Sequence, residues 1–149
     1  MASPRDIRRL AFQALYQLDL TDGTDPEAAR CAIEQSAEWT ADDLDRALAL
    51  AVAAFENRHD SDQRMTELAP DWPTHRQAAV DRAILRLAHY EMMSGQTPPK
   101  VVVNEAVELA KRFSTERSPS FVNALLDKVL KDVLAAAIPS SEQHPAPEL

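Results

Sequence analysis

Apolar residues recur along this chain at helical spacing, and proline and glycine divide them into about seven segments. The first opens at Ser3, Pro4, Arg5 and Asp6, a capping signal with proline at the first helical position. Ile7, Leu10, Ala11, Ala14, Leu15 and Leu18 follow along one stripe, and Gly23 ends the region. Asp25 and Pro26 start a second helix that runs to about Ala37. Thr40 through Asp43 cap a third, with Leu44, Ala47, Leu48, Ala51, Val52 and Phe55 on one face. A short fourth helix is predicted from about Ser61 to Leu68.

Pro70, Asp71, Trp72 and Pro73 break the pattern. A long fifth helix then runs to about Ser94, apolar on most sides, which marks it as central, and Gly95 stops it. Pro98 and Pro99 open the sixth helix. Its start at Val101, Val102 and Val103 has strand propensity, but no second strand exists to pair with it, so the helix reading prevails. Ser118 and Pro119 cap the seventh, whose stripe is Val122, Leu125, Leu126, Val129, Leu130 and Val133. From Pro139 onward the Pro/Ser/Glu-rich tail reads as disordered. The pattern is all-α and carries no internal repeat.

Composition narrows the function. With 149 residues, 45% hydrophobic and 27% charged, the chain is long enough for one domain with a real core. Gly23 and Gly95 are its two glycines, so neither a P-loop nor a GxGxxG turn is present. The single Cys31 allows no internal disulfide, and no apolar run approaches a membrane span or a signal-peptide core, so a cytoplasmic protein is expected. Net charge is −8, yet it is unevenly placed: residues 22–62 hold eleven acids and three bases, whereas residues 63–131 hold ten bases and eight acids. Local surface, not net charge, decides whether a polyanion docks.

Helix one carries the strongest chemical clue. At about 100° per residue, Arg5, Arg8, Arg9, Phe12 and Tyr16 share one side, roughly opposite the aliphatic stripe. Arginines near a helix N-terminus oppose the macrodipole, so helix stability does not call for them. Arginine for phosphate and aromatics for bases suit single-stranded RNA. A solvated basic face with Phe12 and Tyr16 packed on a neighbour explains the residues equally well. A second basic patch, Lys111, Arg112 and Arg117, leads into Phe121, with Ser118 and Ser120 as phosphate donors at a helix N-terminus. Phe121 lies one turn before Leu125, which by itself favours a core position. Asn104 and Asn123 sit among apolar neighbours and are expected to be buried, hydrogen-bonding residues.

Metal and catalytic chemistry find little support. Glu56 and His59 make one Glu-x-x-His pair where a di-iron bundle needs two, and His75 and His89 lie about 21 Å apart along one helix. Cys31 reads as core, and Asp42, Asp43 and Asp45 as a helix start with a solvated face.

Several stretches together resemble the NusB family of bacterial transcription antitermination proteins. They are Arg8 to Gln17, Trp72, Val80 to Glu91, Val103 to Phe113, and Phe121 to Lys128. The resemblance implies an all-α fold of about seven helices in two packed subdomains, about 1–60 and 61–137, with 138–149 as tail. It implies no enzyme activity, no cofactor and no metal. Such proteins pair with NusE, a ribosomal protein, bind the single-stranded boxA element of nascent ribosomal RNA, and help RNA polymerase read through terminators. Matching RNA-binding positions here are Arg5, Arg8, Tyr16 and Phe121, with Arg9, Lys111, Arg112, Arg117 and Ser118 beside them, and Asp81 is the matching NusE-binding acid. Pro4 and Asp6 thin the basic cluster relative to the family, Arg9 stands where glutamate is common, and Ala124 replaces the usual glycine, which implies a position that requires a small residue and not a positive φ. Two readings follow: an antitermination factor acting with NusE, or a NusB-like protein-interaction module with weak or no RNA binding. The sequence leaves the oligomeric state open, a homodimer included.

Overall fold

Capping chemistry sets where the helices begin. Ser3 and Asp6 exchange hydrogen bonds in a capping box ahead of α1 (Pro4–Leu20), and Thr40 and Asp43 do the same ahead of α3 (Ala41–Glu56). The Asp25 carboxylate accepts from the Ala28 amide to start α2 (Pro26–Glu34). The remaining helices are α4 (Arg58–Leu68), α5 (Ala79–Ser94), α6 (Pro99–Phe113) and α7 (Ser118–Glu142). This computed structural model describes residues 2–35 and 38–142. The expected end of α2 near Ala37 and the tail beyond Glu142 lie outside the described residues. The α7 backbone is helical through Pro139, where the sequence reading begins the tail.

Two boundaries differ from expectation for local reasons. α4 starts at Arg58, directly after α3, because Asn57 closes α3 by donating from its side chain to the Ala53 carbonyl at 2.8 Å. α5 starts at Ala79, well after Pro73: a single 3-10 turn at Thr74–Arg76 intervenes, and Gln77 and Ala78 are extended. Gly95 ends α5 in the left-handed region at φ 74°. Gly23, at φ +77°, is more constrained, because a Cβ there would stand 2.7 Å from the Phe55 ring.

The helices form two packed groups, α1–α4 and α5–α7, and α1 and α5 are central to them. The core runs through both groups. From α1 it takes Leu10, Leu15 and Leu18; from α5, Ile84, Leu85 and Leu87; and from α7, Val122, Leu126 and Val129. The alanines Ala11, Ala14, Ala47, Ala51 and Ala54 are fully buried on α1 and α3, which pack extensively on one another. α4 packs on α5 as well as on α3 and α7, so the expected subdomain limit near residue 60 falls inside α4. Among the described residues no helix is long and apolar enough to cross a membrane.

Four expectations fail on burial. Asn104 is exposed because it lies with Val101, Glu108 and Lys111 on the face of α6 opposite the buried Val102, Val103, Ala106 and Leu109. Asn123 and Ala124 are exposed on α7 with Ser120 and Lys128, so no packing contact demands a small residue at 124. Cys31 is exposed, two positions from each of the buried α2 residues Ala29 and Ile33 and therefore on the far side of that helix.

His89 on α5 is buried, and its Nδ1 lies 2.8 Å from the Ser61 hydroxyl of α4. Burial pushes the imidazole below the ordinary histidine value of about 6.5, and the nearby Arg64 acts in the same direction. The unfolded chain therefore binds a proton near pH 6.5 that the folded chain refuses. The stability contributed here is complete above that pH and declines as pH falls toward the folded value. The urea midpoint is expected to drop between pH 7.5 and 5.5, and His89→Gln to flatten that drop. An identical pH profile in the variant would show that the folded ring titrates normally.

Candidate nucleic-acid interface

A groove of about 260 Å³ lies between α1 and α6, lined by Arg5, Arg8, Arg9, Lys111 and Arg112 together with Glu105, Glu108 and Leu109. Five cations thus face two carboxylates on a chain whose net charge is −8. The two helices contribute from opposite ends: α1 presents its first turns and α6 its last, where the helix dipole favours Lys111 and Arg112.

The five cations are not equivalent. Arg8 is buried and donates from Nε and Nη2 to the two carboxylate oxygens of Glu91, both at 2.8 Å. The hydrogen bond to Glu91 raises the Arg8 pKa against the opposing effect of burial, so the guanidinium keeps its charge. Arg5 makes the same two-pronged contact with Glu105 at 2.9 and 2.8 Å, but its side chain is 70% exposed while that of Glu105 is 13% exposed. Glu105 also lies 3.7 Å from Nη1 of Arg8. Arg9 stands 3.6 Å from Asp6 and over the Trp39 ring at 5.7 Å. Lys111 meets Glu108 at 3.1 Å, and Arg112 lies over Phe113 at 5.2 Å, whose ring in turn packs 5.1 Å from buried Phe12.

Asp81, Arg117, Ser118 and Phe121 gather in a separate, mostly apolar cleft of about 320 Å³, formed with Trp72, Ala78 and Thr115. Trp72 is 49% exposed at its mouth. Asp81 is buried and accepts hydrogen bonds from Ser114 at 2.6 Å and Ser118 at 2.9 Å. Ser118 is buried too, its hydroxyl shared among Asp81, Ser114 and Thr115. The serine expected as a phosphate donor and the acid expected to meet a protein partner therefore hold each other. That contact ties the first turn of α5 to the α6–α7 link that carries Arg117 and Phe121. Tyr16 is half-buried against the core and lines neither cavity.

Sequence reasoning did not single out Glu91 and Glu105, the acids that engage Arg8 and Arg5. A signal was present: Glu105 interrupts the stripe of Val102 and Leu109, and Glu91 follows Leu87 by one turn. Among the described residues no cluster of three or more His, Cys, Asp or Glu side chains is placed to hold a metal ion.

Comparison with known proteins matches the NusB family model over residues 5–131. The chain belongs to the NusB family. NusB proteins are transcription antitermination factors, RNA- and protein-binding adaptors rather than enzymes. The transcription antitermination protein NusB of Symbiobacterium thermophilum is 43% identical over 144 residues, covering 91% of this chain and 94% of that one. T. maritima NusB has the same fold at a TM-score of 0.74, with 32% identity over 88% of this chain and 93% of its own. A chain from the structure of antitermination factors NusB and NusE in complex with double-stranded RNA aligns at a TM-score of 0.75, with 25% identity over 86% and 96%.

The NusB fold here gives Arg5 and Arg8 different tasks. Arg8→Ala leaves Glu91 buried and unpaired and is expected to cost about 3 kcal/mol. Arg5→Ala is expected to leave the unfolding midpoint unchanged, because its partner remains near Arg8. Equal midpoints for the two variants in urea titrations would refute this division.

Proposed function

We propose that this chain acts with NusE to bind boxA-type single-stranded RNA in nascent ribosomal RNA transcripts and promotes read-through by RNA polymerase. The observation that carries the proposal is the cationic groove between α1 and α6 on an otherwise acidic protein. Arg5, Arg9, Lys111 and Arg112 neutralise phosphates, and Phe121 offers a stacking surface for a base beside Arg117. Arg8 and Ser118 serve indirectly, by holding α1 and the α6–α7 link in place, and Tyr16 supports α1 from its half-buried position. The partner surface lies around the first turn of α5, where Asp81 organises the cleft. The similarity to a chain from a structure of NusB and NusE with double-stranded RNA supports NusE and RNA as the kinds of partner. On this reading the protein works in the cytoplasm at the transcribing polymerase.

A second reading, a protein-interaction module with little RNA binding, has one observation in its favour: Arg5 and Arg8 are already paired with carboxylates. Fluorescence anisotropy with NusE present separates the two. The proposed function requires tighter binding to boxA RNA than to a scrambled sequence, weakening steeply with salt. Lys111→Gln and Arg112→Gln should each reduce the salt slope by about 0.7. Phe121→Leu should weaken binding about tenfold with the salt slope kept. No preference for boxA RNA at low salt would leave the second reading standing.

A further inference from the structure

The RNA-binding reading raises a question of charge that the geometry answers. Arg5 is far more exposed than Arg8 or Arg9, its neighbours on α1, and its two-pronged donor edge is already filled by Glu105. A phosphate presents the same pair of acceptor oxygens to a guanidinium as a carboxylate does. Glu105 is thus placed where an RNA phosphate would sit on Arg5. It is held from below by Arg8, 3.7 Å away and itself fixed by Glu91.

We infer that Glu105 is an internal phosphate mimic that occupies Arg5 in the free protein and yields it to an RNA phosphate on binding. The exchange requires no unpaired charge at either end. When Arg5 turns to phosphate, Glu105 keeps Arg8 as its cationic neighbour, so a carboxylate only 13% exposed is never abandoned. Arg5 meanwhile moves from one pair of oxygens to another of equal or greater charge. The contact therefore tunes RNA affinity downward. It also screens a groove that would otherwise attract any polyanion, so that stable binding requires the additional contacts of the α6–α7 cleft and of NusE. This inference rests on the RNA-binding reading proposed above.

The test uses the full chain with NusE and fluorescently labelled boxA RNA, titrated across a range of salt. Glu105→Gln keeps the shape of the side chain and removes its charge. It should tighten binding about tenfold at low salt with the salt slope kept, because Arg5 meets the same phosphate in both complexes and only the competing carboxylate is lost. In an Arg5→Ala background the same substitution should give no gain. Circular dichroism of each variant confirms that it is folded, and Glu105→Ala provides a second uncharged replacement. Unchanged or weaker binding by both Glu105 variants overturns the inference and makes Glu105 a residue that merely positions Arg5. A gain that persists without Arg5 also overturns it, because the effect would then be one of general charge. If the unsubstituted chain binds boxA RNA while these outcomes fail, the inference alone falls. If neither the unsubstituted chain nor Glu105→Gln binds, the RNA-binding reading falls with it.

Discussion

Ionic contacts between α1 and α5 hold the two halves of this protein in register. Near the start of α1, Arg8 meets Glu91 at the far end of α5. Near the end of α1, Asp19 meets Arg82, at 3.0 Å, and Arg86, both earlier in α5. The pairing runs in opposite directions along the two helices, so they lie antiparallel. Arg86 also reaches Asp62 of α4 through two hydrogen bonds at 2.8 and 2.6 Å. Burial opposes the charge on Arg86, and the carboxylates of Asp62 and Asp19 outweigh it. Hydrophobic burial supplies the driving force for this packing. The hydrophobic effect itself is non-directional, whereas a guanidinium buried away from its carboxylate is strongly penalised, so the ion pairs add to side-chain packing in fixing the register.

The surface chemistry follows from that register. Placing Arg8 against Glu91 brings the first turns of α1 beside the last turns of α6, and three arginines from one helix meet Lys111 and Arg112 from the other. The Asp81–Ser118 contact performs a similar service for the second cleft, because it fixes the link that presents Arg117 and Phe121. In both places a buried acid organises the residues around it and leaves their neighbours exposed on the surface. Net charge says little about such a protein: acids crowd α2, α3 and the loops around them, while the groove between α1 and α6 is locally cationic.

Much of the fold was legible along the chain. The caps at Ser3, Asp25 and Thr40, the stops at Gly23 and Gly95, and the stripes of α1 and α7 each rest on interactions within a few residues. Where the reading failed, a neighbour distant in sequence or the fine phase of a helix was responsible. Asn104 and Asn123 looked buried because apolar residues flank them in sequence, yet each falls on the exposed face of its helix. For Phe12 and Tyr16 the sequence leaves two readings open, a recognition face with the arginines or packing on a neighbouring helix; Phe12 packs on Phe113, and Tyr16 supports the core.

By itself the sequence determined seven helices, their order, an all-α fold and the segments that mark the NusB family, because capping, periodicity and turn chemistry act locally. It also nominated the basic residues. Which of them are free to meet a phosphate was decided by the tertiary structure alone. Arg8 finds its carboxylate 83 residues away and Arg5 finds its own 100 residues away. Guanidinium and carboxylate pair with any partner that folding brings within reach, so their composition can be read from the chain but their pairing cannot.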